Sequence, residues 1–364
     1  MLITNPQELK KYCSTERKWQ GIPSVERTPN GRIFVSFYSG GVTEQPGNYG
    51  VLLFSDDGEH FSEPIAVADA GKNARVYDCC LWMDPLGRLW FIWSAAPDKR
   101  VEYARCDHPD APILEWSAVR PIGYDVMMNK PIVTSRGDWL FPCAVWKPNA
   151  DPCGYGSGGH PTGAHVFQSC DHGESFRLLG TAIAPDRSYD EHMLLEKQNG
   201  NLEMYIRTSY GIAVSESCDR GKTWSTGVDC GFGGPNSRFY IGRLRSGRLL
   251  LVNHYRFHGR SHLTAMLSED DGRFYKGFLL LDERTDVSYP DAVEGTDGYL
   301  YIVYDRERGS QSDPKRDYSK ATREILMAKV TEADILAGKL MDPNSKLKLL
   351  VSKLCLKEND IEPL

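Results

Sequence analysis

A chain of 364 residues with 41% hydrophobic and 25% charged side chains holds enough apolar material for a large buried core. Its net charge of −6, with no basic tract, excludes a general nucleic-acid binder, although a few clustered arginines can still build a basic pocket for a small anion. No apolar run approaches about 18 residues, which excludes a membrane-spanning helix and any membrane partner that needs one.

The N-terminus, Met1 to Glu8, has no basic stretch followed by an apolar one, so no signal peptide is visible and a cytoplasmic location is expected; a secreted chain trimmed of its leader would read the same. Ten cysteines (Cys13, Cys79, Cys80, Cys106, Cys143, Cys153, Cys170, Cys218, Cys230 and Cys355) are scattered without a CxxC pair. That suits neither a zinc site nor a disulfide scaffold, and mostly reduced, half-buried thiols are expected. No cofactor or metal is expected, and the oligomeric state cannot be read.

Two repeats run along the chain. In chain order, a turn pattern reads Phe54-Ser-Asp56-Asp-Gly58-Glu-His60-Phe61, which lacks a leading Ser, then Ser169-Cys-Asp171-His-Gly173-Glu-Ser175-Phe176. It returns as Ser217-Cys-Asp219-Arg-Gly221-Lys-Thr223-Trp224 and Ser268-Glu-Asp270-Asp-Gly272-Arg-Phe274-Tyr275. Each copy follows a short apolar strand. The Asp accepts backbone N–H bonds in a tight turn, Gly takes a left-handed position, and the aromatic plugs the hairpin. A degenerate copy is expected near Cys106-Asp107, and the last repeat has none.

The second repeat is an apolar strand: Arg32–Phe37, Arg88–Trp93, Asp138–Pro142, Asn201–Ile206, Arg248–Val252 and Tyr299–Val303. Six such strands about 50 residues apart predict an all-β, six-bladed β-propeller of four-stranded antiparallel blades in a single domain. The expected blades span about 21–64, 76–118, 129–178, 190–226, 237–278 and 287–330, with 331–364 forming a short C-terminal helix and closing segment. That helix, Thr331–Gly338, has a Thr cap, acidic first-turn residues and a terminal Gly. A Gly-rich insertion from Asn149 to Gly163 in blade 3 reads as a rim loop over a central pocket.

With these turns and six blades the chain resembles the sialidase (neuraminidase) superfamily from Gly21 to Val330. Fold alone fixes no function, so the resemblance has to be followed residue by residue. Members open blade 1 with Arg-Ile-Pro, whose Arg binds the substrate carboxylate; here Gly21-Ile22-Pro23 lacks that Arg. Arg27, six residues on, should sit roughly 20 Å away near the opposite rim. In blade 4 the family's Glu and Arg correspond to Glu191 and Arg207, in blade 5 its Arg to Arg260, and in blade 6 its Tyr to Tyr289. The resemblance implies that Tyr289 attacks, Glu191 is its base, and Arg207 and Arg260 hold the acid group. A neutral phenol suits a substrate that carries a carboxylate at the reacting carbon, because a carboxylate nucleophile would be repelled.

The family's acid/base Asp lies on the loop after the blade 1 inner strand. That loop, Tyr38–Asn48, contains no Asp and a single carboxylate, Glu44; the other candidate is Asp78, where blade 2 begins. Arg238, heading blade 5, faces the pocket by pseudo-symmetry and is the candidate for the missing arginine, with a surface role as the alternative. His254, His258 and His262 recur every four residues, but on a strand and loop that spacing does not converge ligands. His160 and His165 are candidates for ligand contact. The implied activity is an exo-glycosidase acting on a glycan with a terminal acidic sugar, most simply a sialidase. A polysaccharide lyase, a uronate- or rhamnose-type glycosidase, and a non-catalytic carbohydrate-binding propeller are the alternatives.

Overall fold

The computed structural model describes residues 1–147, 150–308 and 321–354. They form six consecutive antiparallel sheets arranged as a propeller. Blade 2 runs Arg75–Met83, Leu89–Ala96, Arg100–Cys106, Arg120–Tyr124 from the axis outward, and blades 3 to 6 repeat this simple meander. Blade 1 starts at Trp19–Arg27 and ends at Ala66–Ala68, where Leu2–Ile3 adds a fifth, edge strand. In blade 6 the outermost strand is Lys346–Lys353, supplied by the segment after the C-terminal helix. No helix among the described residues is long and apolar enough to cross a membrane.

The six apolar strands expected from the sequence are the second strands of the blades, and nearly all their side chains are buried. Both faces of such a strand pack against neighbouring sheets, which is why they read as continuous apolar runs without alternation. The apolar clusters lie between blades. One joins Trp82 and Trp90 of blade 2 to Trp139 and Phe167 of blade 3, and another joins Val25, Phe37 and Val51 of blade 1 to Tyr301, Val303 and Met327 of blade 6. The latter closes the ring.

The recurring turns connect third to fourth strands, on the outside. In the blade 3 copy the Asp171 carboxylate accepts from Ser169 Oγ at 2.8 Å and from the Ser175 backbone N–H at 2.9 Å, while Gly173 N–H donates to Ser169 Oγ at 2.8 Å. The blade 1 copy differs from the sequence expectation. Ser55 is its leading serine and Asp57 its acceptor, taking the N–H groups of Glu59 and His60 at 2.8 Å each, so the turn is one residue shorter. Asp56 instead pairs with Arg32 at 2.7 Å. The helix spans Glu332–Ala337, with Thr331 and Asp334 forming a reciprocal cap and Gly338 ending it in the left-handed region.

Along the axis, inner strands are bolted together by buried charge. Lys130 Nζ donates to Val25 O at 2.6 Å, Leu81 O at 2.9 Å and Glu26 Oε1 at 2.8 Å. Arg238 is spent in the same way: it donates to Asn129 Oδ1, Pro23 O, Met128 O and Asp291. It therefore staples blades 1, 3 and 6, and does not line the pocket as pseudo-symmetry suggested. All nine cysteines among the described residues are free; Cys355 lies outside them, as does Asn149 at the head of the Gly-rich insertion.

Candidate active site

Four inner strands break register at the same height: between Gly21 and Ser24, Tyr77 and Cys80, Asp190 and Met193, and Ser288 and Asp291. At each break a non-glycine residue takes a left-handed backbone: Ile22, Asp78, Glu191 and Tyr289, with φ of 59°, 48°, 41° and 55°. Such residues cost on the order of 1–3 kcal/mol each and persist where the surroundings over-determine them. Here the bulges turn four side chains out of the sheets and into the axis. They meet at one cavity of about 610 Å³, whose lining also includes Glu44, Trp146, Tyr189, Arg207, Asn236, His258, Arg260 and Arg308.

Six of the seven sequence-derived site residues thus share one cavity: Tyr289, Glu191, Asp78, Glu44, Arg207 and Arg260. The register pair Asp190–Arg207 sets Arg207 beside the Glu191 bulge. Arg207 Nη1 donates to Glu191 Oε1 at 2.6 Å and to Tyr289 Oη at 2.9 Å, and Tyr289 Oη donates to Glu191 Oε1 at 3.1 Å. Arg207 is itself aimed by Asn236, whose Oδ1 and backbone O accept from Nε and Nη2 at 2.6 and 2.9 Å. Burial raises the Tyr289 phenol above its ordinary value, against the pull of Arg207. The guanidiniums of Arg207, Arg308 and Arg260 oppose that rise, so they favour the phenolate that forms when the proton passes to Glu191.

Asp78 is buried, and desolvation holds its carboxyl well above the ordinary range despite Arg75. Burial thus favours its protonated form, and the side chain lines the cavity. Glu44 reaches the cavity from the blade 1 loop and is committed to Arg75 at 3.1 Å. Arg75 also approaches Asp151 at 3.7 Å, and the buried Lys99 pairs with Asp151 and with Asp125. These cations tie two rim loops together, and Pro152 of the second lines the cavity. Trp146 and Tyr189 meet edge-on at 5.2 Å as an aromatic wall.

The residue that sequence reading missed is Arg308. Its guanidinium carbon lies 4.3 Å from the Tyr289 ring centroid, and its Nη1 pairs with Asp305 at 3.3 Å. Its stem fills the space beside Gly21: a Cβ there would lie 2.3 Å from Arg308 Cδ. The absent arginine at Gly21 is matched by one arriving from the adjacent blade. Arg260 stands 5.2 Å from the same ring, and among the described residues no side chain accepts from its guanidinium. Three arginines therefore face one phenol, and a carboxylate is the group that best satisfies them. Of the histidines, His258 lines the cavity, whereas His254 is buried and its Nε2–H donates to Val287 O. His165 is held between Thr181 and Pro161, and His160 stacks on Tyr124.

Behind Glu191, Asp190 is fully buried and accepts from Arg187 Nη1 at 2.6 Å; Arg187 Nη2 in turn donates to Thr162 at 2.7 Å. Burial raises the Asp190 carboxyl to about 6 from its ordinary 3.8, the arginine opposing. The folded protein then holds this proton more tightly than the unfolded chain. The resulting stabilisation is full below about 3.8 and is lost as pH rises through about 6, a span worth up to about 3 kcal/mol. Asp190→Asn removes that dependence. In urea unfolding at several pH values, the stability of wild type minus that of the variant should fall by up to about 3 kcal/mol from pH 4 to pH 7; a constant difference refutes the assignment.

The sequence pattern of the BNR repeat-like domain matches residues 31–302. No curated protein matches the chain. Among solved structures, a protein of unknown function from Dyadobacter fermentans superposes with a TM-score of 0.61 at 18% identity, covering 79% of this chain and 90% of that one. The Hadza microbial sialidase Hz136 gives 0.63 at 17% identity over 80% of this chain and 64% of its own. The intramolecular trans-sialidase from Ruminococcus gnavus, in complex with oseltamivir carboxylate, gives 0.58 at 13% identity over 97% and 98%. At these identities the likeness is one of fold.

Proposed function

We propose, for a chain that belongs to the BNR repeat-like domain family, an exo-glycosidase that removes a terminal acidic sugar, most simply a sialic acid. The observation that carries this reading is the contact set of Tyr289 Oη: 2.9 Å from Arg207 and 3.1 Å from Glu191. The sialidase fold of similar structures supports it.

Arg260, Arg308 and Arg207 hold the substrate carboxylate, which places the anomeric carbon above the phenol. Glu191 takes the Tyr289 proton, the phenolate oxygen bonds to the anomeric carbon, and the bond to the leaving oxygen breaks. Asp78, kept protonated by burial, supplies the proton to that oxygen. Glu44 is bound to Arg75 and serves to shape the acid side of the pocket. Water then enters on the side vacated by the leaving group and loses a proton to Asp78 as its oxygen bonds to the anomeric carbon; the bond to the Tyr289 oxygen breaks, Glu191 returns the phenol its proton, and the configuration is retained.

The test is a panel of aryl glycosides of sialic, uronic and neutral sugars. Release of the aglycone from the sialic substrate alone is the expected result. A 4-linked uronate oligosaccharide, tested beside the panel, would lose its C4 substituent and give an absorbing 4,5-unsaturated product if the protein were a lyase. Binding without turnover anywhere in the panel would leave a carbohydrate-binding propeller.

A further inference from the structure

Resting on that reading, we propose that Asn129 is a positioning residue for the catalytic base: its carboxamide fixes the backbone from which Glu191 reaches Tyr289. The site is built on four bulges, in blades 1, 2, 4 and 6. The inner strands of blades 3 and 5 are short, Ile132–Val133 and Tyr240–Arg243, and keep their register. The segments leading into them carry Asn129 and Arg238, both buried.

The blade 4 bulge takes Glu191 and His192 out of the ladder, between the pairs Asp190–Arg207 and Met193–Tyr205. Carbonyls freed in a buried place need donors from elsewhere. One side chain serves both: Asn129 Nδ2 donates to Glu191 O at 2.7 Å and to His192 O at 3.0 Å. The orientation of the amide is set from its other side, where Oδ1 accepts from Arg238 Nε at 2.7 Å. Asp190 and Glu191 are consecutive left-handed residues, with φ of 58° and 41°, a backbone that persists only while its surroundings fix it.

The same hub reaches the strand of the nucleophile. Arg238 Nη2 donates to Asp291 Oδ1 at 3.4 Å, and Asp291 closes the bulge that carries Tyr289. The other Asp291 oxygen accepts from Ser24 Oγ at 2.7 Å and from the Val25 N–H at 2.9 Å in blade 1. Blades 4 and 6 are not neighbours in the ring, yet Glu191 and Tyr289 meet at 3.1 Å. Asp291, Arg238 and Asn129 bridge that gap with three hydrogen bonds. A displacement of about 1 Å at a reacting contact costs on the order of 10²-fold in rate.

Asn129→Asp keeps the size and the acceptor for Arg238 but presents no N–H to the two carbonyls. On a sialic acid aryl glycoside, kcat should fall about 10²-fold while KM stays within about three-fold. Asn129→Ser, which keeps one donor on a shorter arm, should lose at least about 10-fold in kcat, and it decides the matter if the Asp variant does not fold. Leu250→Ala, a cavity in the core between blades 5 and 6, is the stability control: its unfolding midpoint should fall while kcat stays within about two-fold. All rates are read below each variant's midpoint. Asn129 variants that lose stability like the control but keep kcat, or that raise KM alone, overturn the positioning role and leave the glycosidase reading intact. A wild-type protein that cleaves no sialic acid glycoside overturns both.

Discussion

Tyr289→Phe should lower kcat on a sialic acid glycoside by about 10⁴-fold, some 5.5 kcal/mol of lost transition-state stabilisation. The substitution deletes one oxygen from a buried ring and keeps its shape, so the bulge and the aromatic face under Arg308 and Arg260 remain. What disappears is the atom that accepts from Arg207 and donates to Glu191. These two stay paired at 2.6 Å, so the cavity keeps its charge pattern and KM should move little. A loss confined to kcat is the signature of an interaction made only on the way to the transition state. Inactivation by a 3-fluorinated sialic acid analogue, followed by peptide mapping, should place the label on Tyr289 and leave the Phe variant unlabelled. Unchanged turnover in Tyr289→Phe, with an unchanged unfolding midpoint, ends the nucleophile assignment.

What was legible in the sequence divides by contact range. The outer turns are built within eight residues, so their hydrogen bonds are written locally; even there, alignment on Gly58 and Phe61 hid that Ser55 and Asp57 make the blade 1 turn. Glu191, Arg207, Arg260 and Tyr289 were readable because each sits at a recognisable point of one blade. Arg238 misled for a geometric reason. Asn236 faces the cavity, and two residues further along the chain lies about 7 Å deeper, where Pro23 and Met128 carbonyls take the guanidinium. Arg308 was out of reach because its partner Gly21 is 287 positions away and meets it only when blade 6 closes on blade 1. The signal was present in inverse form: a glycine where a long side chain was expected marks a place that some other chain segment fills.

That exchange makes the second large prediction. Arg308→Ala should reduce kcat/KM for an acidic sugar by about 10²–10³-fold, and because it leaves the buried Asp305 without its guanidinium partner the unfolding midpoint should fall as well, so the rates are compared below that midpoint. Gly21→Arg alone should also fail, because its Cβ would sit 2.3 Å from Cδ and 2.7 Å from Cγ of Arg308. The stem must move, and it is held by Asp305, whose carboxylate also accepts the Ile22 N–H at 2.8 Å. Strain would therefore reach the blade 1 bulge, and the unfolding midpoint should fall. The double variant Gly21→Arg, Arg308→Ala vacates that space before filling it. It should recover at least about 10-fold over either single variant, a coupling that independent sites do not show. If the double variant is no better than the worse single, Arg308 and Gly21 are unrelated neighbours. If it recovers, one guanidinium serves the same anion from either of two blades, and what the cavity requires is a cation above Tyr289 whichever strand supplies it.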